Sequence, residues 1–186
     1  MSRHSLILAI TTIGDLLCES KITRNKEGAS IDKINLKIPD YQRPYKWRAG
    51  NANQLLDDIL GTRAENKEVY RVGTLILHKT MSAGREVYHI VDGQQRIITF
   101  SLLLKAFGCD MPFLQEKIPD NQLYAQNILS NYALFSRRIE KYKGEEKERL
   151  LEYIKTNCEL IVVITENLSE AFQFFDSQNA RGKKLY

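Results

Sequence analysis

The stretch Asp92-Gly93-Gln94-Gln95-Arg96 stands between two apolar segments of different periodicity. Before it, residues 86–91 (EVYHIV) alternate in polarity as a half-buried β-strand does. After it, residues 97–107 (IITFSLLLKAF) are apolar on nearly every face, which is typical of a helix buried on most sides. The sequence therefore predicts a strand, a turn and a buried helix in succession, with DGQQR at the turn.

This turn has the chemistry of an anion site, because the first N–H groups of a helix have no intrahelical partner and carry the positive end of its dipole. Gly93 allows close backbone approach, and Arg96 can bind phosphate oxygens in a bidentate manner. Gln94 and Gln95 can each donate and accept hydrogen bonds. Asp92 is either a helix cap or a ligand for Mg²⁺. The alternative is a plain cap by Asp92 with exposed glutamines, and the five residues alone leave both interpretations open.

A second cluster, residues 38–48 (IPDYQRPYKWR), combines three aromatic residues, three cations and two prolines. Prolines fix the backbone, so the aromatic and cationic groups can be held in place. Aromatic faces between Arg and Lys side chains suit base stacking and phosphate contact, which makes Tyr41, Tyr45 and Lys46 candidates for sensing DNA. The alternative is that the aromatic residues cover the edge of the core while the cations stay solvated, and a lone tryptophan such as Trp47 favours it.

A third cluster, residues 172–185 (FQFFDSQNARGKKL), predicts a helix that stops at Asn179 and is followed by a basic turn. Arg181, Lys183 and Lys184 flank Gly182 in this turn. Solvated surface is the alternative interpretation for the two lysines.

The remaining pattern predicts an α+β fold, a small mixed sheet flanked by helices. The predicted strands are residues 35–38, 70–78, 86–91 and 159–165. Residues 6–17 predict a short amphipathic helix, and the polar residues 19–33 predict a loop.

We expect one domain over residues 1–186, forming the N-terminal part of a longer protein. Its core would comprise residues 35–110 and 158–186. A helical insert at 111–157, rich in charge, would lie in solvent.

Composition is that of an ordinary soluble domain, with 43% hydrophobic and 27% charged residues among 186. The net charge of +4 permits a nucleic-acid partner without arguing for one. The three cysteines form no C-x-x-C pair, and the histidines show no metal-ligand spacing. No apolar run reaches the roughly 18 residues of a membrane span. These features predict a cytoplasmic protein with reduced cysteines and no membrane partner. The sequence contains no P-loop motif of the form G-x-x-x-x-G-K-[ST].

The order I-P-x-Y-Q-R-x-Y-x-W, D-G-Q-Q-R before a hydrophobic helix, and F-x-x-x-N-x-R-G-K-x-L resembles a known family over about residues 36–185. It is similar to the domain of unknown function 262, the N-terminal domain of GmrS-type modification-dependent restriction proteins and related phage-defence factors. That family is similar in turn to the ParB and sulfiredoxin fold. Ile-Ile-Thr follows Arg96 where the family usually has Leu-Thr-Thr, a change that keeps Thr99.

The resemblance implies binding and hydrolysis of a nucleoside triphosphate, coupled to restriction of foreign or modified DNA. Asp92 is the candidate ligand for a Mg²⁺ ion that accompanies the nucleotide. The residues implied to be catalytic are Gln42, Asp92, Gln95 and Arg96. Those implied to bind the nucleotide are Arg43, Gly93, Gln94, Thr99, Asn179, Arg181 and Lys183. Tyr41 is implied to face DNA or a base.

Three hypotheses follow for the function. The first is a nucleotide-hydrolysing regulatory domain of a restriction system, and the second is a non-catalytic module that senses DNA or a partner. The third, nuclease action by this chain, is the weakest, because the sequence has no H-N-H motif and no metal cluster. Cutting would then belong to another domain or to a partner chain.

Overall fold

A computed structural model of the chain describes residues 6–115 and 122–182, and it contains a six-stranded mixed sheet with helices on both faces. The strands are β1 (Leu6–Thr12), β2 (Arg24–Asn25), β3 (Leu36–Lys37), β4 (Tyr70–Ser82), β5 (Arg85–Asp92) and β6 (Cys158–Thr165). The helices are α1 (Ile13–Cys18), α2 (Ala49–Ala64), α3 (Gln94–Ala106), α4 (Pro112–Gln115), α5 (Gln122–Ile139), α6 (Gly144–Asn157) and α7 (Leu168–Gly182). The predicted α+β class is confirmed.

The strands lie in the order β2-β1-β6-β4-β5-β3. β4 pairs parallel to β6 and antiparallel to β5, while β1 pairs antiparallel to β6. Two register shifts interrupt β4, one between Arg71 and Gly73 against β6 and one between Ile76 and Leu77 against β5. Both lie near the end of β5, where the DGQQR turn begins, and bulges of this kind bend a strand and redirect its side chains.

Alternate residues of the central strands pack on opposite faces, as the pleat requires. One face carries Leu75, Leu77 and Ile90 into the main core, which includes α3 and α5. The other face carries Ile76, Val91 and Val163, which pack against α7. The turn between β5 and α3 therefore leads the chain from the sheet onto the face of the main core.

The predicted helix over residues 6–17 is wrong in its first half, because Leu6–Thr12 forms β1. Every residue of this strand pairs with β6, from Leu6 opposite Thr165 to Thr12 opposite Glu159. Helix α1 begins only at Ile13, after Thr12 caps it by accepting a hydrogen bond from the Asp15 N–H at 3.1 Å. The sheet thus includes residues that lie before the predicted core.

The predicted helical character of residues 111–157 is confirmed in the described part, but α5 is not simply a solvated helix. Its residues Asn131, Phe135 and Ile139 are buried, and the helix packs against α2 and α3. At the other end of the chain, α7 continues to Gly182, so the predicted helix end at Asn179 is also wrong. Among the described residues, no helix is long and apolar enough to cross a membrane.

Two helical glycines provide a matched test of the packing. A Cβ added at Gly14 in α1 would lie 2.8 Å from both the Cβ and the carbonyl oxygen of Lys155 in α6, whereas Gly61 in α2 faces open space. We expect Gly14→Ala to lower the free energy of unfolding by about 1–3 kcal/mol, because the backbone of α6 must move. Gly61→Ala should raise it by about 0.5–1 kcal/mol through helix propensity. Urea denaturation of both variants checks this, and equal shifts of the same sign would contradict the packing of α1 on α6.

Candidate functional site

Helix α3 begins immediately after β5, and Gly93 is its N-cap residue with φ 103°. The first backbone bond of the helix runs from the Ile97 N–H to the Gly93 carbonyl oxygen at 3.0 Å. The N–H groups of residues 94–96 precede that bond and point out of the helix end. Gly93 offers no capping side chain, so the alternative in which Asp92 caps α3 is wrong.

Glycine is required at position 93 for a reason that the sequence did not indicate. Besides its positive φ, a Cβ there would lie 3.0 Å from Leu75 Cδ1 and 3.2 Å from the Thr74 carbonyl oxygen. The close backbone approach is therefore made to β4, which fixes the start of α3 against the sheet.

Arg96 lies across the bulged part of β4. Its Nη1 donates to the Thr74 carbonyl oxygen at 3.3 Å. A Cβ at Gly73, whose φ is +147°, would come within 2.7 Å of Arg96 Cζ. Because Gly73 has no side chain, the guanidinium can rest on the strand, and its remaining N–H donors are available for phosphate oxygens.

Asp92 is the carboxylate next to these donors. Burial raises the pKa of its carboxyl group above the ordinary value, while Arg96 and a hydrogen bond from the Gly93 backbone N–H oppose the shift. The carboxylate is therefore held in a partly desolvated position beside a cation. Within the described residues, no group of three or more His, Cys, Asp or Glu side chains could hold a metal ion.

Hydrogen bonds of three glutamines connect the segment of residues 39–48, here called the aromatic loop, to the end of β5 and the start of α3. Gln42 Nε2 donates to the Val91 carbonyl oxygen at 2.8 Å. Gln94 Nε2 donates to the Arg43 carbonyl oxygen at 2.9 Å. Because Gln94 is 7% exposed, the alternative in which both glutamines lie on the surface is wrong.

Gln95 uses both ends of its amide on the same loop. Its Nε2 donates to the Pro44 carbonyl oxygen at 3.0 Å, and its Oε1 accepts from the Lys46 N–H at 2.8 Å and the Trp47 N–H at 3.3 Å. These contacts favour a structural role for Gln95 over the catalytic role that the resemblance implies. The catalytic assignments of Gln42 and Gln95 remain predictions.

Tyr45 is not on the surface, so its predicted role in sensing DNA is corrected. The side chain is 3% exposed, and Asn131 Nδ2 in α5 donates to its hydroxyl oxygen at 2.8 Å. Its hydroxyl lies 2.8 Å from Thr99 Oγ1, which itself donates to the Gln95 carbonyl oxygen at 2.7 Å. The hydroxyl of Thr99 has a single proton, which it donates to that carbonyl oxygen. The hydroxyl of Tyr45 is therefore the donor in its hydrogen bond with Thr99. Thr99 is fully buried within this chain, which favours a structural role over contact with a nucleotide.

The exposed part of the aromatic loop carries Tyr41, Arg43 and Lys46. Tyr41 is 52% exposed and packs its ring at 5.8 Å from that of Phe172 in α7, so α7 passes close to the loop. Asn179 is exposed farther along α7, and among the described residues no hydrogen bond joins it to the turn. Arg181 belongs to the last turn of α7, and Lys183 lies outside the described residues.

Sequence reasoning missed Gly73 and Asn131 as supports of the site. An isolated glycine in a strand pattern is a known signal of a bulge or a close approach, so Gly73 could have been found. Asn131 gives no such signal, because its two donor bonds go to Tyr45 and to the Trp47 carbonyl oxygen, more than eighty residues earlier.

Residues 14–186 match a protein family described as the N-terminal domain of the GmrSD restriction endonuclease. The chain belongs to this family. Membership of this family identifies the chain as a domain of a restriction system, which agrees with the resemblance carried by the three motifs. A comparison with curated proteins found no match.

Buried hydrogen bonds connect Asn131 to Tyr45 and Tyr45 to Thr99. We therefore predict that the stability of this GmrSD N-terminal domain depends on the hydroxyl group of Tyr45. Tyr45→Phe should lower the free energy of unfolding by about 1–3 kcal/mol, because a buried donor and a buried acceptor lose their partner. Tyr153→Phe is the matched control, since its hydroxyl donates to the Lys67 carbonyl oxygen at the surface. We expect the control to stay within about 0.5 kcal/mol of the wild type in denaturant titrations. Equal effects of the two changes would contradict the proposed importance of these buried hydrogen bonds.

Gly73→Ala tests whether the guanidinium of Arg96 needs its position against Gly73 on β4. The change combines an unfavourable φ with a collision against the guanidinium, whereas Gly84→Ala in the β4–β5 turn meets only the unfavourable φ of +74°. We expect Gly84→Ala to cost about 1–2 kcal/mol of unfolding free energy. Gly73→Ala should cost more, because its φ of +147° lies in a region that is essentially restricted to glycine and because the guanidinium of Arg96 has to move off the strand. Thermal and urea unfolding of both variants measure the difference. A Gly73→Ala variant as stable as Gly84→Ala would show that stability does not depend on the position of the Arg96 guanidinium beside residue 73.

Proposed function

We propose that this chain binds a nucleoside triphosphate with Mg²⁺ at the start of α3 and hydrolyses it, as the regulatory domain of a DNA restriction system. The observation that carries the proposal is the convergence of three features on one turn. These are the outward N–H groups of residues 94–96, the guanidinium of Arg96 and the carboxylate of Asp92. Helix N-termini and arginine forks are the common means by which proteins bind phosphate.

The position of Arg96 supports phosphate binding rather than a purely structural role. Its hydrogen bond to the Thr74 carbonyl oxygen uses one of five N–H donors, and that bond anchors the guanidinium beside the helix end. Arg43 is exposed on the aromatic loop, and its carbonyl oxygen accepts from Gln94 Nε2, so the backbone of a second cationic residue lies next to the start of α3.

The residues present fit a magnesium ion that arrives with the nucleotide. Mg²⁺ bound to a nucleotide commonly takes one or two protein carboxylates and fills its remaining positions with phosphate oxygens and water. Asp92 would supply the carboxylate in this arrangement. When bound, the ion would neutralise phosphate charge and bring a water close to the terminal phosphate.

A second candidate function is binding of DNA or a protein partner without nucleotide chemistry. It is favoured by the exposed cations Arg43, Lys46 and Arg48 around the half-exposed ring of Tyr41, on a loop that is fixed by the glutamines. DNA binding of this kind weakens as salt rises, and Tyr41→Ala would weaken it while Arg96→Gln would not. In either function, cutting of DNA would belong to a nuclease domain or partner chain.

Arg96→Gln is the direct test of the nucleotide site. Isothermal titration calorimetry with ATP, GTP, CTP and UTP in the presence of Mg²⁺ should find binding to the wild type. We expect Arg96→Gln to weaken it by about 10- to 150-fold, the value of a charged hydrogen bond. Arg149→Gln on α6 is the control, because that arginine is exposed and pairs with Glu145. Absence of binding by the wild type at millimolar nucleotide, or equal binding by Arg96→Gln, would defeat the proposal.

Asp92→Asn should separate stability from hydrolysis. Burial raises the pKa of Asp92 in the folded state above the ordinary value of 3.8, so the folded protein favours the protonated carboxyl group. The stability that this protonated group contributes is fully present below pH 3.8 and is lost as the pH rises through the raised pKa. The neutral amide avoids that loss. We therefore expect Asp92→Asn to be more stable than the wild type near about pH 7 and nearly equal to it near about pH 3. Mg²⁺-dependent phosphate release should fall sharply, and a variant that is less stable at neutral pH but fully active would contradict both parts.

A further inference from the structure

Cys18 and Cys109 lie next to each other in the structure, although the sequence places them far apart. Both are free thiols. Burial raises the pKa of the Cys18 thiol, and Cys109 raises it further through its charge and through a hydrogen bond between the two thiols. Such a bond requires the two sulfur atoms to lie side by side. The fold therefore creates a pair of thiols that the spacing of the cysteines does not reveal.

The ends of two helices hold this pair in place. Cys109 follows α3 in a helix-ending turn in which Gly108 has a φ of +94°. The Gly108 N–H donates to the Lys105 carbonyl oxygen at 2.9 Å, and the Cys109 N–H donates to the Leu104 carbonyl oxygen at 3.1 Å. Cys18 is the last residue of α1, which packs on α6. Both cysteines also pack against the main core, so the thiols meet through ordered backbone.

A small reagent can reach the pair but not the third cysteine. Cys18 and Cys109 are each partly exposed. Cys158, at the start of β6, is fully buried, and burial raises the pKa of its thiol to about 12. Because the thiolate is the form that reacts with a disulfide, Cys158 provides an unreactive internal control.

We propose that Cys18 and Cys109 form a reversible disulfide bond by exchange with a small-molecule disulfide such as oxidised glutathione. The thiolate of one cysteine attacks a sulfur atom of the reagent, which forms a mixed disulfide and releases one glutathione thiolate. The thiolate of the other cysteine then attacks the mixed disulfide, which forms the protein bond and releases the second glutathione thiolate. The two protein thiols are oxidised and the reagent is reduced, and the two protons pass to the released thiolates. This inference does not depend on the proposed function.

The bond would connect α1 to the end of α3 that lies opposite the DGQQR turn. It would close a loop of about ninety residues and so restrict the unfolded chain. We expect it to lower the equilibrium constant of unfolding by about 30- to 900-fold.

The first experiment maps the bond in the wild-type protein. The chain is incubated with oxidised glutathione at about pH 8.5, near the ordinary pKa of a thiol, and is then denatured in the presence of N-ethylmaleimide. Trypsin places the three cysteines on separate peptides, residues 4–21, 106–117 and 156–181. Mass spectrometry should find 4–21 linked to 106–117, and 156–181 alkylated. The protein should remain a single chain on a non-reducing gel.

The second experiment changes the cysteines. In Cys109→Ser, Cys18 should carry glutathione without forming a bond within the chain, and oxidation should leave urea unfolding unchanged within about twofold in the equilibrium constant. Cys158→Ala is the matched control and should form the same bond, with the same gain in stability, as the wild type. If Cys109→Ser does not fold, as judged by circular dichroism, the peptide map of the wild type still decides the question.

Three results would overturn the inference. The first is a wild-type map in which peptides 4–21 and 106–117 are alkylated or carry glutathione but are not linked. The second is a bond that involves Cys158 or that joins two chains. The third is a bond between Cys18 and Cys109 that does not lower the equilibrium constant of unfolding, because a bond formed between thiols that meet in the native fold should stabilise it.

Discussion

The rest of the site depends on the hydrogen bonds between the glutamines of the DGQQR turn and the backbone of the aromatic loop. This loop has no regular secondary structure around Pro44, so its carbonyl and N–H groups need partners from elsewhere. Gln94 and Gln95 supply them at Arg43, Pro44 and Lys46. Two motifs that are far apart in the sequence thereby become one structural unit, which holds an exposed surface with Tyr41 and three cations beside the start of α3.

The sheet determines where that unit can bind an anion. Gly93 places the start of α3 against Leu75, and Gly73 leaves room for the guanidinium of Arg96 on the strand. Both contacts lie in the bulged part of β4, where the regular pleat would otherwise direct side chains into this space. Helix α5 supports the loop from the other side through Asn131. The donors of the turn are consequently fixed before any ligand arrives, which reduces the entropic cost of binding.

The sequence predicted the parts of this arrangement that are local. The change from strand to helix periodicity around DGQQR located α3 correctly, because both patterns are set by neighbouring residues. The role of residues 6–12 could not be read in the same way, since β1 is defined by its pairing with β6 about 150 residues later. Gln94 and Gln95 were expected to face a ligand or solvent, but the groups they bind lie about fifty residues earlier. Tyr45 was assigned to the surface for the same reason, because its burial depends on Asn131 in α5.

The central claim is that the N–H groups at the start of α3, which have no intrahelical partner, bind phosphate, and backbone nuclear magnetic resonance tests it most directly. A ¹⁵N-labelled sample titrated with Mg²⁺ and a nucleoside triphosphate reports each amide separately. The account predicts that the largest shifts occur at Gln94, Gln95 and Arg96. The start of α6, where Glu145 and Glu146 repel an anion, serves as the internal control and should not shift. Shifts confined to other parts of the chain, with the amides of residues 94–96 unchanged at saturation, would contradict the account.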